Sequence, residues 1–254
     1  MADPHPIAAL RRFTDARIGL GRFGAGLPTS AHLDFAEAHA RARDAVHAAF
    51  DVDAIVADLV QEGLQPVRVS SQARDRALYL RRPDLGRKLD PDELSKLPAG
   101  DAPDLVVIIG DGLSAHAVNS YAAETALAVI RLLPPSWTIS PPVLATGARV
   151  ALSDPIGEAM GARLALMLIG ERPGLSAADS LGAYLTFAPR TGRSDADRNC
   201  LSNIRVGGLA PALAARKIAG LLVRAHALGL SGVRLKDDEG LIEGEVRDSI
   251  GLSD

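Results

Sequence analysis

Leu-Ala-Leu-Met-Leu-Ile-Gly-Glu-Arg-Pro-Gly, at residues 164–174, is the stretch that decides the fold prediction for this 254-residue chain. Its first six residues are apolar without alternation, which is typical of a strand covered on both faces of a parallel sheet. A buried helix would look similar over six residues, but the Gly-x-x-Pro-Gly segment behind them favours a strand that stops in a loop. Ligands of open parallel sheets lie beyond the carboxyl ends of the strands, so Glu171 stands where a ligand contact is expected.

Comparable strand patterns, separated by longer helical segments, occur on both sides of this stretch. The sequence predicts further strands at 64–69, 105–109, 143–146 and 184–188, and an edge strand at 233–235. It predicts helices at 31–50, 115–133, 154–160 and 211–228. Thr29 or Ser30 is expected to cap the first of these helices.

Strands that alternate with helices predict a βαβ sheet with right-handed crossovers. A polar, proline-containing connector at 90–104 places a boundary near residue 100. We therefore predict an α/β protein in two parts. Residues 1–100 form an N-terminal, mainly helical region, and residues 101–254 form a Rossmann-like, mostly parallel sheet flanked by helices.

The composition excludes several classes of protein. With 47% hydrophobic and 23% charged residues the chain has an ordinary globular balance, and its net charge of −3 predicts binding to neither nucleic acid nor an anionic membrane surface. The single cysteine, Cys200, fits a reducing compartment, and no apolar run approaches the ~20 residues of a membrane span. We expect a cytoplasmic protein.

A glycine pattern near the N-terminus resembles a dinucleotide-binding motif but lacks its context. In Gly19-x-Gly21-x-x-Gly24 no strong apolar strand precedes the glycines, and no helix opens at the last of them. The helix begins later, after Pro28. We interpret the glycines as a flexible turn that lets this arm pack against another part of the protein.

Three further positions are candidates by residue type. Asp111, which follows a predicted strand inside Gly-Asp-Gly, either contacts a ligand or caps the turn. Ser114 lacks the surroundings of a nucleophilic serine. The acidic residues Asp195 and Asp197 are expected to raise the pKa of Cys200, which argues for a packing role. No Walker A loop, Cys-x-x-Cys pair or metal-ligand cluster is present, so the residues alone predict an α/β protein with a ligand at the strand ends.

Several strings nevertheless match one family in order. They include Leu-Tyr-Leu-x-Arg-Pro-Asp-x-Gly-Arg at 78–87, Gly-Glu-Arg-Pro-Gly-Leu at 170–175 and Asp-Arg-x-Cys-x-Ser-Asn-Ile at 197–204. Together with shorter matches between about residue 10 and about residue 228, they make the chain resemble the small (light) subunit of ethanolamine ammonia-lyase.

The resemblance implies a lyase that uses adenosylcobalamin to convert ethanolamine into acetaldehyde and ammonia by a radical mechanism. It implies a hetero-oligomer in which a large subunit performs catalysis while the small subunit contacts cobalamin at the subunit interface. The family positions that contact the cofactor fall on Val150, Glu171 and Cys200, so Cys200 becomes a small cofactor contact. No catalytic residue and no metal ligand is assigned to this chain, and its location is the cytoplasm or a bacterial microcompartment.

Two other functions stay open at this point. A nucleotide-binding oxidoreductase of Rossmann type could use the same sheet, but it needs a phosphate loop, and the aspartate in Gly110-Asp111-Gly112 would repel a pyrophosphate. A purely structural partner subunit would never touch the cofactor. The basic string at 81–88 is interpreted as structural or as part of an interface, since exposed charge runs are usually solvated.

Overall fold

The structure is a computed structural model, and it describes residues 6–22, 24–98 and 102–236. These residues form a mixed α/β fold. Its α-helices, numbered along the described chain, are α1 (Thr29–His47), α2 (Val52–Gln61), α3 (Arg76–Arg81), α4 (Ala115–Leu132), α5 (Ser153–Ala159) and α6 (Pro211–Leu228). Short 3-10 helices occupy Pro6–Phe13, Leu85–Arg87, Pro91–Lys96, Val150–Leu152, Asp195–Asp197 and Gly232–Arg234. Among these elements no helix combines the length and the apolar character that a membrane crossing requires.

The described residues also form one six-stranded sheet. Its strands are β1 (Val67–Ser70), β2 (Leu105–Gly110), β3 (Val143–Thr146), β4 (Leu164–Gly170), β5 (Leu181–Phe187) and β6 (Arg198–Ile204). Their order in the sheet is β1-β3-β2-β4-β5-β6. The first four strands in this order run parallel, whereas β5 is antiparallel to β4 and β6 is antiparallel to β5. The prediction of a mostly parallel sheet is therefore confirmed.

The two central strands, β2 and β4, are buried along their whole length. On one face of the sheet, alternate residues such as Val107 and Leu166 pack against α2, α4 and α6. On the other face, alternate residues such as Ile108 and Met167 pack against α5 and the turn before it. Because both faces are covered, apolar residues occur without alternation, as the opening stretch predicted.

The three most apolar predicted strands, 105–109, 143–146 and 164–169, coincide with β2, β3 and β4. The edge strand predicted at 233–235 is wrong, because these residues belong to the 3-10 turn Gly232–Arg234 and its end. There the Asn199 side chain accepts from the Gly232 amide and donates to the carbonyls of Gly232 and Leu235, so this segment is tied to β6 by a side chain and not by a strand ladder. The capping prediction for α1 is also wrong, since Pro28 occupies the cap position and no side chain bonds the helix end.

The predicted division of the chain near residue 100 falls on residues 99–101, which lie outside the described residues. On its N-terminal side, β1 pairs in parallel with β3 and forms one edge of the sheet. The division into two parts stays a prediction.

Candidate functional site

A cleft of about 350 Å³ opens at the carboxyl ends of the central strands. It is lined by Tyr79, Gly112, Leu113, Arg149, Val150, Ile169, Gly170, Glu171, Arg172 and Tyr184. The chain leaves β2 toward β3 on one side and returns to β4 on the other side, so the loops that follow β2 and β4 diverge at this edge. Such divergence is where open parallel sheets form their ligand crevices.

The floor of the cleft depends on close backbone contact between two loops. The amide of Leu113 donates to the carbonyl of Gly170 at 2.8 Å. Gly112 has φ +58°, and a Cβ atom there would lie 2.1 Å from the same carbonyl oxygen. Only glycine fits both the left-handed backbone and this approach, so the Gly-Asp-Gly sequence is needed to bring the ends of β2 and β4 together.

Asp111 ties the same floor to the loop after β3. Its Oδ1 accepts hydrogen bonds from the amides of Gly112 at 3.0 Å and Ala148 at 2.8 Å, while Arg76 Nη1 lies 3.7 Å from Oδ2. Burial raises the pKa of Asp111 above its ordinary value, against the opposing effects of the Ala148 amide and the Arg76 charge. Of the two interpretations of Asp111, these contacts support the one in which it caps the turn.

Glu171 lies at the rim of the cleft, directly after β4, as predicted. Its amide donates to the carbonyl of Ser180 at 2.9 Å, and its Oε2 accepts from the Ser180 hydroxyl and from the amide of Asn203 at 3.3 Å. The side chain runs over Gly182, where a Cβ atom would lie 2.8 Å from Oε1. The carboxylate is thus oriented through Oε2, and no hydrogen bond occupies Oε1 within the part of the chain that the structure describes.

Val150 lines the same cleft from the loop after β3. It begins the 3-10 turn Val150–Leu152, and its carbonyl accepts from the Ser153 hydroxyl at 2.9 Å. The residue before it, Arg149, donates its amide to the carbonyl of Gly86 at 2.8 Å. The structure therefore brings Val150 and Glu171, which belong to separate loops, to one cleft.

Cys200 stands beside the cleft and does not line it. It is an exposed residue of β6 and is paired with Tyr184 of β5, so the two side chains lie on the same face of the sheet. The residue is exposed as a whole but its thiol is partly covered by neighbouring groups, and this desolvation raises the pKa of the Cys200 thiol, as does the Glu171 carboxylate. The direction agrees with the prediction, although the charged neighbour is Glu171 and not Asp195 or Asp197. A thiol with a raised pKa is a poor nucleophile at neutral pH.

Two residues that sequence reasoning did not single out, Tyr79 and Arg149, line the cleft. Tyr79 is buried, and its hydroxyl donates to the carbonyl of Ala148 at 3.0 Å. The guanidinium groups of Arg149 and Arg76 lie 4.2 Å and 4.7 Å from the centre of its ring. Tyr79 belongs to one of the strings that carry the resemblance, but nothing in its spacing marked it as a cleft residue.

Other candidate chemistries find no support in the described residues. The Ser114 hydroxyl accepts from the amide of Ala117 and donates to the carbonyl of Ala178, so it caps α4 and is not a free nucleophile. Within residues 6–22, 24–98 and 102–236, no three His, Cys, Asp or Glu side chains are grouped so that they could hold a metal ion.

Comparison with known proteins gives one consistent result. A family model described as "Ethanolamine ammonia-lyase light chain" matches residues 4–236. The chain is 54% identical over 237 residues to the ethanolamine ammonia-lyase small subunit of Rhodopseudomonas palustris, covering 92% of this chain and 91% of that protein. It is 53% identical over 249 residues to the protein of that name from Bradyrhizobium diazoefficiens, covering 94% of each. The small subunit of Pseudomonas syringae is 47% identical over 261 residues, covering 100% of this chain and 90% of that protein.

Proposed function

The chain belongs to the family of ethanolamine ammonia-lyase light chains, and we propose that it holds adenosylcobalamin at the interface with a catalytic large subunit. The observation that carries this proposal is the cleft at the carboxyl edge of the sheet, where Val150 and Glu171 converge. The cofactor, when bound, supplies the radical chemistry that converts ethanolamine into acetaldehyde and ammonia. This chain's part is binding and orientation.

The groups in the cleft fit a corrinoid by their chemistry. A corrin ring carries amide side chains, whose N–H groups need acceptors, and Glu171 Oε1 is an oriented carboxylate oxygen of that kind. Val150 offers an apolar side chain in a fixed turn. The cleft is much smaller than a corrinoid, so it would enclose only one part of the cofactor. A partner must then cover the rest, which agrees with a hetero-oligomer.

Cys200 has the weakest geometric support of the three proposed cofactor contacts. It is exposed and is paired across the strands with Tyr184, a residue that does line the cleft. We propose that it makes a small contact at the border of the cofactor and takes no part in the chemistry.

We also propose that the parallel part of the sheet is Rossmann-like. Its central strand β2 is followed by α4 on one face, and β3 is followed by α5 on the other face. This alternation of helices is the doubly wound arrangement, in which the ligand crevice lies between strands whose connections diverge. We propose that the protein is located in the cytoplasm, with a bacterial microcompartment as the alternative.

Co-expression with the large subunit tests the function directly. The complex is purified through a tag on this chain and titrated with hydroxocobalamin, with the visible spectrum as the readout. We expect saturable binding by the complex and no ethanolamine turnover by the isolated chain. Turnover without the partner would contradict the division of labour, and a complex that binds no cobalamin would contradict the cofactor assignment.

Glu171→Ala tests the site in the same titration. Loss of an oriented charged acceptor costs about 1.5–3 kcal/mol, so the dissociation constant should rise roughly tenfold or more. The matched control is Glu124→Ala, which removes an exposed carboxylate from α4. If both variants bind cobalamin like the unmodified complex, the purely structural subunit becomes the better description.

A further inference from the structure

Arg149 is a cation in the cleft that forms no ion pair with the described residues. No carboxylate lies within ion-pair distance of its guanidinium among the residues that the structure describes. Its Nη2 donates to the carbonyl of Tyr79 at 3.2 Å, and its Nε is buried with no hydrogen-bond partner in the described part of the chain. A charged group whose N–H lacks a partner costs free energy, and because the Arg149 guanidinium lines the cleft, a ligand there can offer the group the acceptors that the chain does not.

The neighbouring charges show that Arg149 differs from the other cations here. Arg76 faces the Asp111 carboxylate and also donates to the carbonyls of Gly112 and Leu113. Arg172 is exposed at the rim. Among the described residues that line the cleft, Glu171 is the only acidic one and Arg149 and Arg172 are the cations, so the lining has a net positive charge that an anionic group of a ligand would balance.

Resting on the proposed function, we infer that Arg149 binds the phosphodiester of the cofactor's nucleotide loop. Cobalamin carries a single anionic group, this phosphodiester, while its ring substituents are neutral amides. A planar guanidinium is suited to two parallel hydrogen bonds with phosphate oxygens. The Tyr79 ring beneath the Arg149 guanidinium and the hydrogen bond to the Tyr79 carbonyl hold the group in place before the ligand arrives, which lowers the entropy lost on binding.

A pair of corrinoids separates contacts to the nucleotide loop from contacts to the corrin ring, and the Arg149→Lys variant described below then tests whether the nucleotide-loop contact depends on charge. Cobinamide has the corrin ring and its amides but lacks the nucleotide loop, that is, the phosphodiester, the ribose and the dimethylbenzimidazole, of which only the phosphodiester is charged. Binding of each corrinoid to the complete complex is measured by equilibrium dialysis with spectroscopic detection, so no turnover is needed. We expect Arg149→Gln to weaken cobalamin binding roughly ten- to hundredfold and to leave cobinamide binding unchanged. Arg149→Lys should recover part of the cobalamin affinity, because the charge remains and the planar fork is lost.

Arg163→Gln is the matched control, since Arg163 makes the same two kinds of contact elsewhere in the chain. Its guanidinium lies 6.0 Å from the centre of the Phe187 ring and donates to the carbonyl of His226 at 3.2 Å. The control should bind both corrinoids normally. Equal weakening of both corrinoids by Arg149→Gln, or no weakening of either, would overturn the inference. A complex that binds neither corrinoid before any substitution would instead refute the proposed function.

Discussion

Two buried aspartates hold two regions of this molecule in different ways. Asp154, at the start of α5, forms a bidentate pair with Arg198 of β6, with both N–O distances at 2.7 Å. Asp111, at the carboxyl edge of the sheet, is bonded mainly by backbone amides, and its guanidinium neighbour lies 3.7 Å away. The two residues are 2% and 7% exposed, so burial alone does not separate them.

The difference lies in what each carboxylate fixes. The Asp154–Arg198 pair joins α5 to the antiparallel flank of the sheet, and Arg198 also bonds the Thr186 hydroxyl of β5 at 3.1 Å. Asp111 fixes the loops that form the cleft, because its amide donors belong to Gly112 and Ala148. A charge paired with a charge stabilises the fold here, whereas a charge held by amides shapes the site.

The largest expected effect comes from breaking the paired region. Arg198→Met leaves the Asp154 carboxylate buried without its counterion, which should lower the free energy of unfolding by about 3–5 kcal/mol. This loss is measured by urea unfolding monitored by circular dichroism. Arg131→Met, which breaks the exposed pair with Glu62, is the control and should change stability by about 1 kcal/mol or less.

The double variant Arg198→Met/Asp154→Leu sharpens the same test. Replacing both charges with apolar groups removes the unpaired carboxylate, so much of the lost stability should return. If Arg198→Met costs no more than the surface control, the pair is not what holds the antiparallel flank.

At the carboxyl edge of the sheet, replacing Asp111 should cause a smaller loss of stability together with a loss of affinity for cobalamin. Asp111→Ala leaves the amides of Gly112 and Ala148 without their acceptor, which should cost about 2 kcal/mol. Because the loop that carries Val150 is then released, cobalamin binding by the assembled complex should weaken as well. Arg198→Met, measured where it is still folded, should keep its affinity. If the Asp111→Ala protein bound cobalamin with unchanged affinity, Asp111 would not shape the cleft, and its role would not differ from that of Asp154.

The sequence predicted most of the sheet because its central strands are defined locally. β4 has seven buried residues in succession, and no polar residue obscures the pattern. β6 was not predicted, since its first buried residue is the charged Arg198 and most of its positions are exposed or half-buried. That strand is stabilised by a partner 44 residues earlier in the chain, which no local pattern reveals.

The candidate site, too, could be predicted from the sequence only where a local pattern marks the residue. Glu171 followed from the rule that ligands lie at strand ends, whereas Val150 and Cys200 came only from the resemblance. Arg149 and Tyr79 escaped notice because they meet across 70 residues of sequence. Stacking between an arginine and a tyrosine at such separation leaves no trace in the spacing of either residue.

The pH dependence of stability offers a finer comparison. Burial raises the pKa of Asp111, so the folded protein binds this proton more tightly than the unfolded chain does. The contribution of Asp111 to stability should therefore fall as the pH rises from the ordinary aspartate value of 3.8 through the raised one. The measurement is the difference in unfolding free energy between the protein and Asp111→Asn across that range. A difference that stays flat or grows with pH would show that the amides outweigh burial.

The smallest expected effect isolates one hydrogen bond in the cleft. Tyr79→Phe removes the hydroxyl that donates to the Ala148 carbonyl but keeps the ring beneath Arg149, so stability should fall by about 1 kcal/mol. Tyr121→Phe is the control, because its hydroxyl bonds the Asp179 carboxylate and not the loop after β3. Since burial raises the pKa of Tyr79, its hydroxyl stays a neutral donor at any pH used for binding. Tyr79→Phe should therefore weaken cobalamin binding slightly at every such pH. An effect no different from that of Tyr121→Phe would mean that the Tyr79 hydroxyl does not help to position this loop.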